Sequence, residues 1–196
     1  MGFKLGKNKV RKIEYKYFPK DRYELKDILR ERLLSDLNAD LNDIDVSKIE
    51  DMSNLFENID PHNIDISEWD VSAVLNMGSM FEECRNFNCD LNNWDVSNVK
   101  DMSIMFGNCH NFNSDLSNWN VSNVETMECM FYGCEKFKGK GLENWKLLSC
   151  ENVIQMFWKC KSFDGKIIEN WVLPNIKLIP KRIFYQCIDI PSWYKI

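Results

Sequence analysis

LNNWDVSNVKDMSIMFGNCHNFNSDL, residues 91–116, decides the reading, because the same string recurs along the chain with few changes. Its core returns as IDVSKIEDMSNLF (44–56), WDVSAVLNMGSMFEEC (69–84), WDVSNVKDMSIMFGNC (94–109), WNVSNVETMECMFYGC (119–134), WKLLSCENVIQMFWKC (145–160) and WVLPNIKLIPKRIFYQC (171–187). The leading residues Ile44, Trp69, Trp94, Trp119, Trp145 and Trp171 are spaced by 25, 25, 25, 26 and 26 residues. A register held so closely over six units marks a repeat protein.

The apolar positions change period inside each unit. Counting the leading residue as position 0, Trp94 and Val96 alternate two apart, as in a short extended segment. Val99, Met102, Met105 and Phe106 then follow at steps of three, three and one, the spacing of one side of a short helix. Ser47, Ser72, Ser97 and Ser122 stand before that stretch, where a hydroxyl caps exposed N–H groups. The FNxDL segment that follows is rich in turn formers. Each unit therefore reads as strand, turn, short helix, turn. One unit alone buries too little to fold, so neighbours must stack into a continuous core.

The ends differ from the middle. Residues 21–37 carry Leu25, Ile28, Leu29, Leu33 and Leu37 at helical spacing, and this segment is expected to cap the first unit. Pro174, Pro180 and Pro191 interrupt the pattern at the other end, and Trp193 is expected to cover the last unit. The expected organisation is a basic arm (1–20), a capping helix with its lead-in turn (21–43), a six-repeat array (44–187) and a C-terminal cap (188–196).

Residues 1–32 hold eleven Lys/Arg against five Asp/Glu, a balance of +6, which leaves −11 for the rest of a chain of net charge −5. The arm serves as a solubilising tail, or it touches an anionic partner or the body itself. No apolar run of 18 residues predicts a membrane span, and the first residues lack the apolar segment of a secretory signal. A cytoplasmic location with reduced cysteines is therefore expected, with the cell surface as the alternative.

The string LxxWDVSNVxxMxxMFxxCxxFNxDL, carried by Leu91 to Leu116, resembles the BspA-like leucine-rich-repeat family over about residues 40–187. The resemblance implies an α/β repeat solenoid of leucine-rich-repeat type, with a short parallel strand plus a short helix per unit. It also implies the surface antigens and adhesins in which such repeats occur, and no catalytic residues.

Chemistry-bearing residues point the same way. Cys84, Cys109, Cys134, Cys160 and Cys187 share one repeat position, which suits a ladder of buried thiols better than a chelating cluster. Asp40, Asp65, Asp90 and Asp115 form a row that caps turns or holds calcium. The acid pairs Glu82-Glu83 and Asp43/Asp45 meet no converging base or nucleophile, and no metal or cofactor is expected. The Trp ladder in an acidic body reads as core, so no direct nucleic-acid binding is expected. The residues flanking each inward Trp must face outward: Glu68 and Asp70, Asn93 and Asp95, Asn118 and Asn120, Asn144 and Lys146. This row is the candidate partner-binding surface. The expectation is a non-enzymatic module that presents the row to an unknown protein, with oligomeric state open. A bacterial adhesin, or an acidic inhibitor of a nucleic-acid-handling protein encoded by a mobile element, are the alternatives.

Overall fold

Each unit turns where a carboxylate or amide catches the backbone two residues on. Asp45 Oδ1 accepts from the amide and hydroxyl of Ser47 at 3.1 and 2.7 Å. Asp70 does the same for Ser72, Asp95 accepts the Ser97 amide at 3.0 Å, and Asn120 serves Ser122. The device recurs further along the unit, at Asp51–Ser53, Asn76–Gly78 and Asp101–Ser103. Short polar side chains that bond their own backbone favour turns over regular structure. The serines expected to cap a helix are thus donors inside turns.

The computed structural model describes residues 13–57, 59–176 and 180–194. Residues 1–12 of the expected basic arm, Ile179 of the last repeat and residues 195–196 of the expected C-terminal cap lie outside the described residues.

The helical stretch of each unit does not form, and backbone handedness is the reason. Asn54, Ser79, Ile104, Cys129 and Gln155, at equivalent positions, have φ between 53° and 57°. Glu83, Asn108, Gly133 and Lys159, four residues later, lie between 59° and 72°. A left-handed residue ends a right-handed helix at once. Among the described residues, neighbouring units pair at single parallel bridges, among them Asp51 with Asn76, Asn76 with Asp101, Asp101 with Thr126 and Thr126 with Asn152. Among the described residues there is no strand and no sheet. The regular elements there are the helix α1 (Arg22–Ser35) and two 3-10 turns, Leu142–Asn144 and Gly165–Ile168. The expected α/β repeat solenoid of leucine-rich-repeat type, with a strand and a helix per unit, is therefore not the fold.

The units are coils of turns stacked through backbone hydrogen bonds. Between the second and third units, Met77, Ser79, Phe81 and Glu83 donate to the carbonyls of Asp101, Ser103, Met105 and Gly107 at 2.8–2.9 Å, and Lys100 donates back to Leu75. Two side chains add to each seam. Trp94 Nε1 donates to the Ile66 carbonyl at 3.0 Å, and Trp69, Trp119, Trp145 and Trp171 make the equivalent bond. The Cys109 and Cys134 thiols each donate to the Phe carbonyl of the preceding unit, Phe81 and Phe106, at 2.9 Å. These bonds satisfy carbonyls that a continuous sheet would otherwise occupy. Inside the coils Phe56, Phe81, Phe106, Phe131, Phe157 and Phe184 stack at 5.0–5.7 Å. This column and its Trp, Met and Val neighbours form one buried core.

At the N-terminal end Asp21 caps α1 by accepting from the Tyr23 and Glu24 amides at 3.0 Å. Leu25, Leu29 and Leu33, spaced by four, are buried on one face. Arg22 and Lys26 pair with Asp51 and Glu57 of the first unit, and Arg32 with Asp43 in the turn that leads into it. Tyr17 forms a parallel bridge with Ile44, so the described part of the basic segment lies on the body. At the other end Trp193 Nε1 donates to Ile168, and Tyr194 meets Phe184 edge-on.

Candidate functional site

The inward Trp residues set the candidate row. Trp69 and Trp94 stack at 6.4 Å, and Trp119, Trp145 and Trp171 at 6.3 Å, with planes within 9°. Residues on either side of each Trp run as two parallel lines at the same step. All eight sequence-predicted residues, Glu68, Asp70, Asn93, Asp95, Asn118, Asn120, Asn144 and Lys146, are exposed.

The two lines differ in what their side chains do. After the Trp, Asp70, Asp95 and Asn120 spend an oxygen on the turn serine. The Ser97 hydroxyl and amide hold the Asp95 carboxyl below its usual range. Before the Trp, Glu68, Asn93, Asn118 and Asn144 make no side-chain hydrogen bond or ion pair among the described residues, and neither does Lys146. The side chains of this line take no part in holding the described fold, whereas those of Asp70, Asp95 and Asn120 do. At its N-terminal end Glu68 borders a cleft of about 350 Å³ lined also by Lys16, Arg32 and Asp43.

The other candidates are consumed by structure. Asp90 and Asp115 accept from the amides of Asn92 and Ser117, so the Asp row caps turns. Lys140 and Ser117 draw the Asp115 carboxyl down to about 2. Among the described residues no group of three His, Cys, Asp or Glu is placed to hold a metal ion. All eight cysteines are free. Burial holds Cys109, Cys134 and Cys160 well above the usual thiol range and pushes Cys150 up to about 11. Thiols so protonated are poor nucleophiles. Glu83 is engaged with Arg85 and Asn108, and Asp43 with Arg32 and Lys16.

A second, partly exposed feature escapes a reading based on the core register. Tyr132 and Trp158 stack at 6.3 Å, and Trp158 and Tyr185 lie 4.9 Å apart. Lys159 sits 5.8 Å from the Tyr132 ring centre and Arg182 5.9 Å from that of Trp158. The Trp158 Nε1 is buried with no hydrogen-bond partner among the described residues. The available signal was the position just after the core Phe, which reads Glu57, Glu82, Gly107, Tyr132, Trp158 and Tyr185.

Among the described residues no helix is long and apolar enough to cross a membrane. No curated protein and no solved structure matches the chain. The family model described as "Mycoplasma protein of unknown function, DUF285" matches residues 25–145 and 105–192, and the chain belongs to that family. This corrects the BspA-like leucine-rich-repeat resemblance. The shared string reports an apolar register, and here that register builds turns closed by left-handed residues.

Proposed function

We propose that this DUF285 member is a non-catalytic module that binds a protein partner along the line Glu68, Asn93, Asn118 and Asn144. The observation that carries the reading is that this line is exposed in four successive units while its side chains do nothing for the fold. Side chains with no structural task, repeated at one step on a rigid array, suit an extended partner. The carboxylates and thiols that catalysis would need are held in turns, ion pairs and the core. The line grades from Glu68 at one end to Lys146 beside Asn144 at the other. This gives a partner a direction in which to dock. Eight unpaired thiols accord with action in a reducing compartment.

The test uses the full chain as bait in extract of its native host, with Asn93→Arg/Asn118→Arg as the comparison. Surface changes of this kind move stability by less than about 0.5 kcal/mol. A protein retained by the wild type and lost by the folded double variant supports the reading. Equal retention by both rejects it.

A further inference from the structure

The edge through Glu57, Glu82, Gly107, Tyr132, Trp158 and Tyr185 occupies one register position in six successive units. Its halves are opposites. The N-terminal half carries Glu57 and Glu82, with exposed Glu83 beside them. The C-terminal half carries three aromatic rings, with Lys159 and Arg182 over two of them. Between the halves stands Gly107, where a Cβ would meet Ile104 Cγ2 at 2.6 Å. Gly107 is buried and Ile104 fills the space a Cβ would take, so the row has no projecting side chain at its third position. Of the three rings, Tyr185 is 47% exposed and Tyr132 and Trp158 are half-buried.

We propose that this edge is a homodimer interface, in which two copies of the chain pair antiparallel about a two-fold axis between the third and fourth units. Reversing one copy sets unit two against five, three against four and one against six. Glu82 then faces Trp158 and Lys159, with Glu83 and its partner Arg85 beside it, Glu57 with its partner Lys26 faces Tyr185 and Arg182, and Tyr132 faces the position without a side chain at Gly107. Each contact is made twice, as a two-fold interface requires. Aromatic anchors with flanking cations are the composition of an interface centre. The proposal concerns a different register position from the line of Glu68 to Asn144 and does not depend on the reading above.

The experiment is sedimentation equilibrium of the full chain over a concentration series. Two charge-reversed forms accompany it, Glu82→Lys/Glu83→Lys and Lys159→Glu/Arg182→Glu. The wild type is expected to dimerise reversibly. Each reversed form raises the dissociation constant at least about 10-fold, and a 1:1 mixture of the two forms pairs again. A second measurement needs no variant. Carbodiimide is applied to mixed isotope-labelled and unlabelled wild type, and Glu83 is expected to link to Lys159 between copies. Within one copy these residues lie three units apart, at ladder steps of 5.6–5.7 Å, beyond a zero-length link. A wild type monomeric up to about 1 mM overturns the proposal, because a specific interface associates below that. So does a dimer that neither variant weakens, or a folded mixture that stays monomeric. A monomeric chain whose edge captures an acidic peptide would reassign the surface to that class of partner and likewise overturn it.

Discussion

Raising the pH from 7.5 to 9.5 should destabilise this protein through its interior thiols. Cys109, Cys134 and Cys160 are fully buried and donate to backbone carbonyls of the preceding unit at 2.8–2.9 Å. Burial keeps each protonated well above the ordinary thiol range. In the unfolded chain a thiol ionises near pH 8.5. Above that pH the folded state holds more protons than the unfolded one, so stability falls as pH rises. At pH 9.5 one thiol has lost about 1.4 kcal/mol, and the three together about 4 kcal/mol. Cys150 and Cys187, pushed up to about 11 and about 12, act in the same direction. The assay is urea unfolding with reductant at both pH values, for wild type and Cys134→Ala. Lys and Tyr ionisation is common to both proteins and cancels in the comparison. The variant should lose about 1.4 kcal/mol less than wild type over this interval. Equal losses would refute the argument that the thiol is sealed in a seam between units.

Three further outcomes follow from the same packing. Phe106→Ala, in the middle of the stacked column, should cost about 3–5 kcal/mol by chemical denaturation, and Phe184→Ala near the end should cost less. Ile104 is β-branched yet has φ of 57°, so Ile104→Asn should raise the urea midpoint by the equivalent of about 1 kcal/mol. Asp95→Ala removes the acceptor of the Ser97 turn and should cost about 1 kcal/mol, whereas Asn93→Ala should stay within about 0.5 kcal/mol.

Much of the interior was legible in the sequence, and the backbone was not. Trp94, Val96, Met102, Phe106 and Phe112 recur at one step, and all are buried. Apolar spacing records which side chains face inward, but a chain of turns can produce the same spacing as a helix. The left-handed position that separates the two is filled by Asn54, Ser79, Ile104, Cys129 and Gln155, which share no chemistry. The hydrogen bonds of the Trp and Cys ladders were also hidden, because both residue types pass for apolar filling. In the candidate row, exposure was readable from alternation around the Trp. The division of labour within it was not, because Asp95 looks equally polar whether it greets solvent or its own turn. Tyr132, Trp158 and Tyr185 were missed because their column begins with Glu57 and Glu82 and shows its pattern only when read as a gradient.

The binding account is tested most directly by a photo-crosslinking residue placed at Asn118, expressed in the native host, with Lys138 as the control position. Both sites are exposed and lie in adjacent units, but only Asn118 belongs to the line of Glu68 to Asn144. The account predicts one discrete adduct with a second protein from Asn118 and none from Lys138. An adduct from Lys138 with nothing from Asn118, or silence at both, would contradict it.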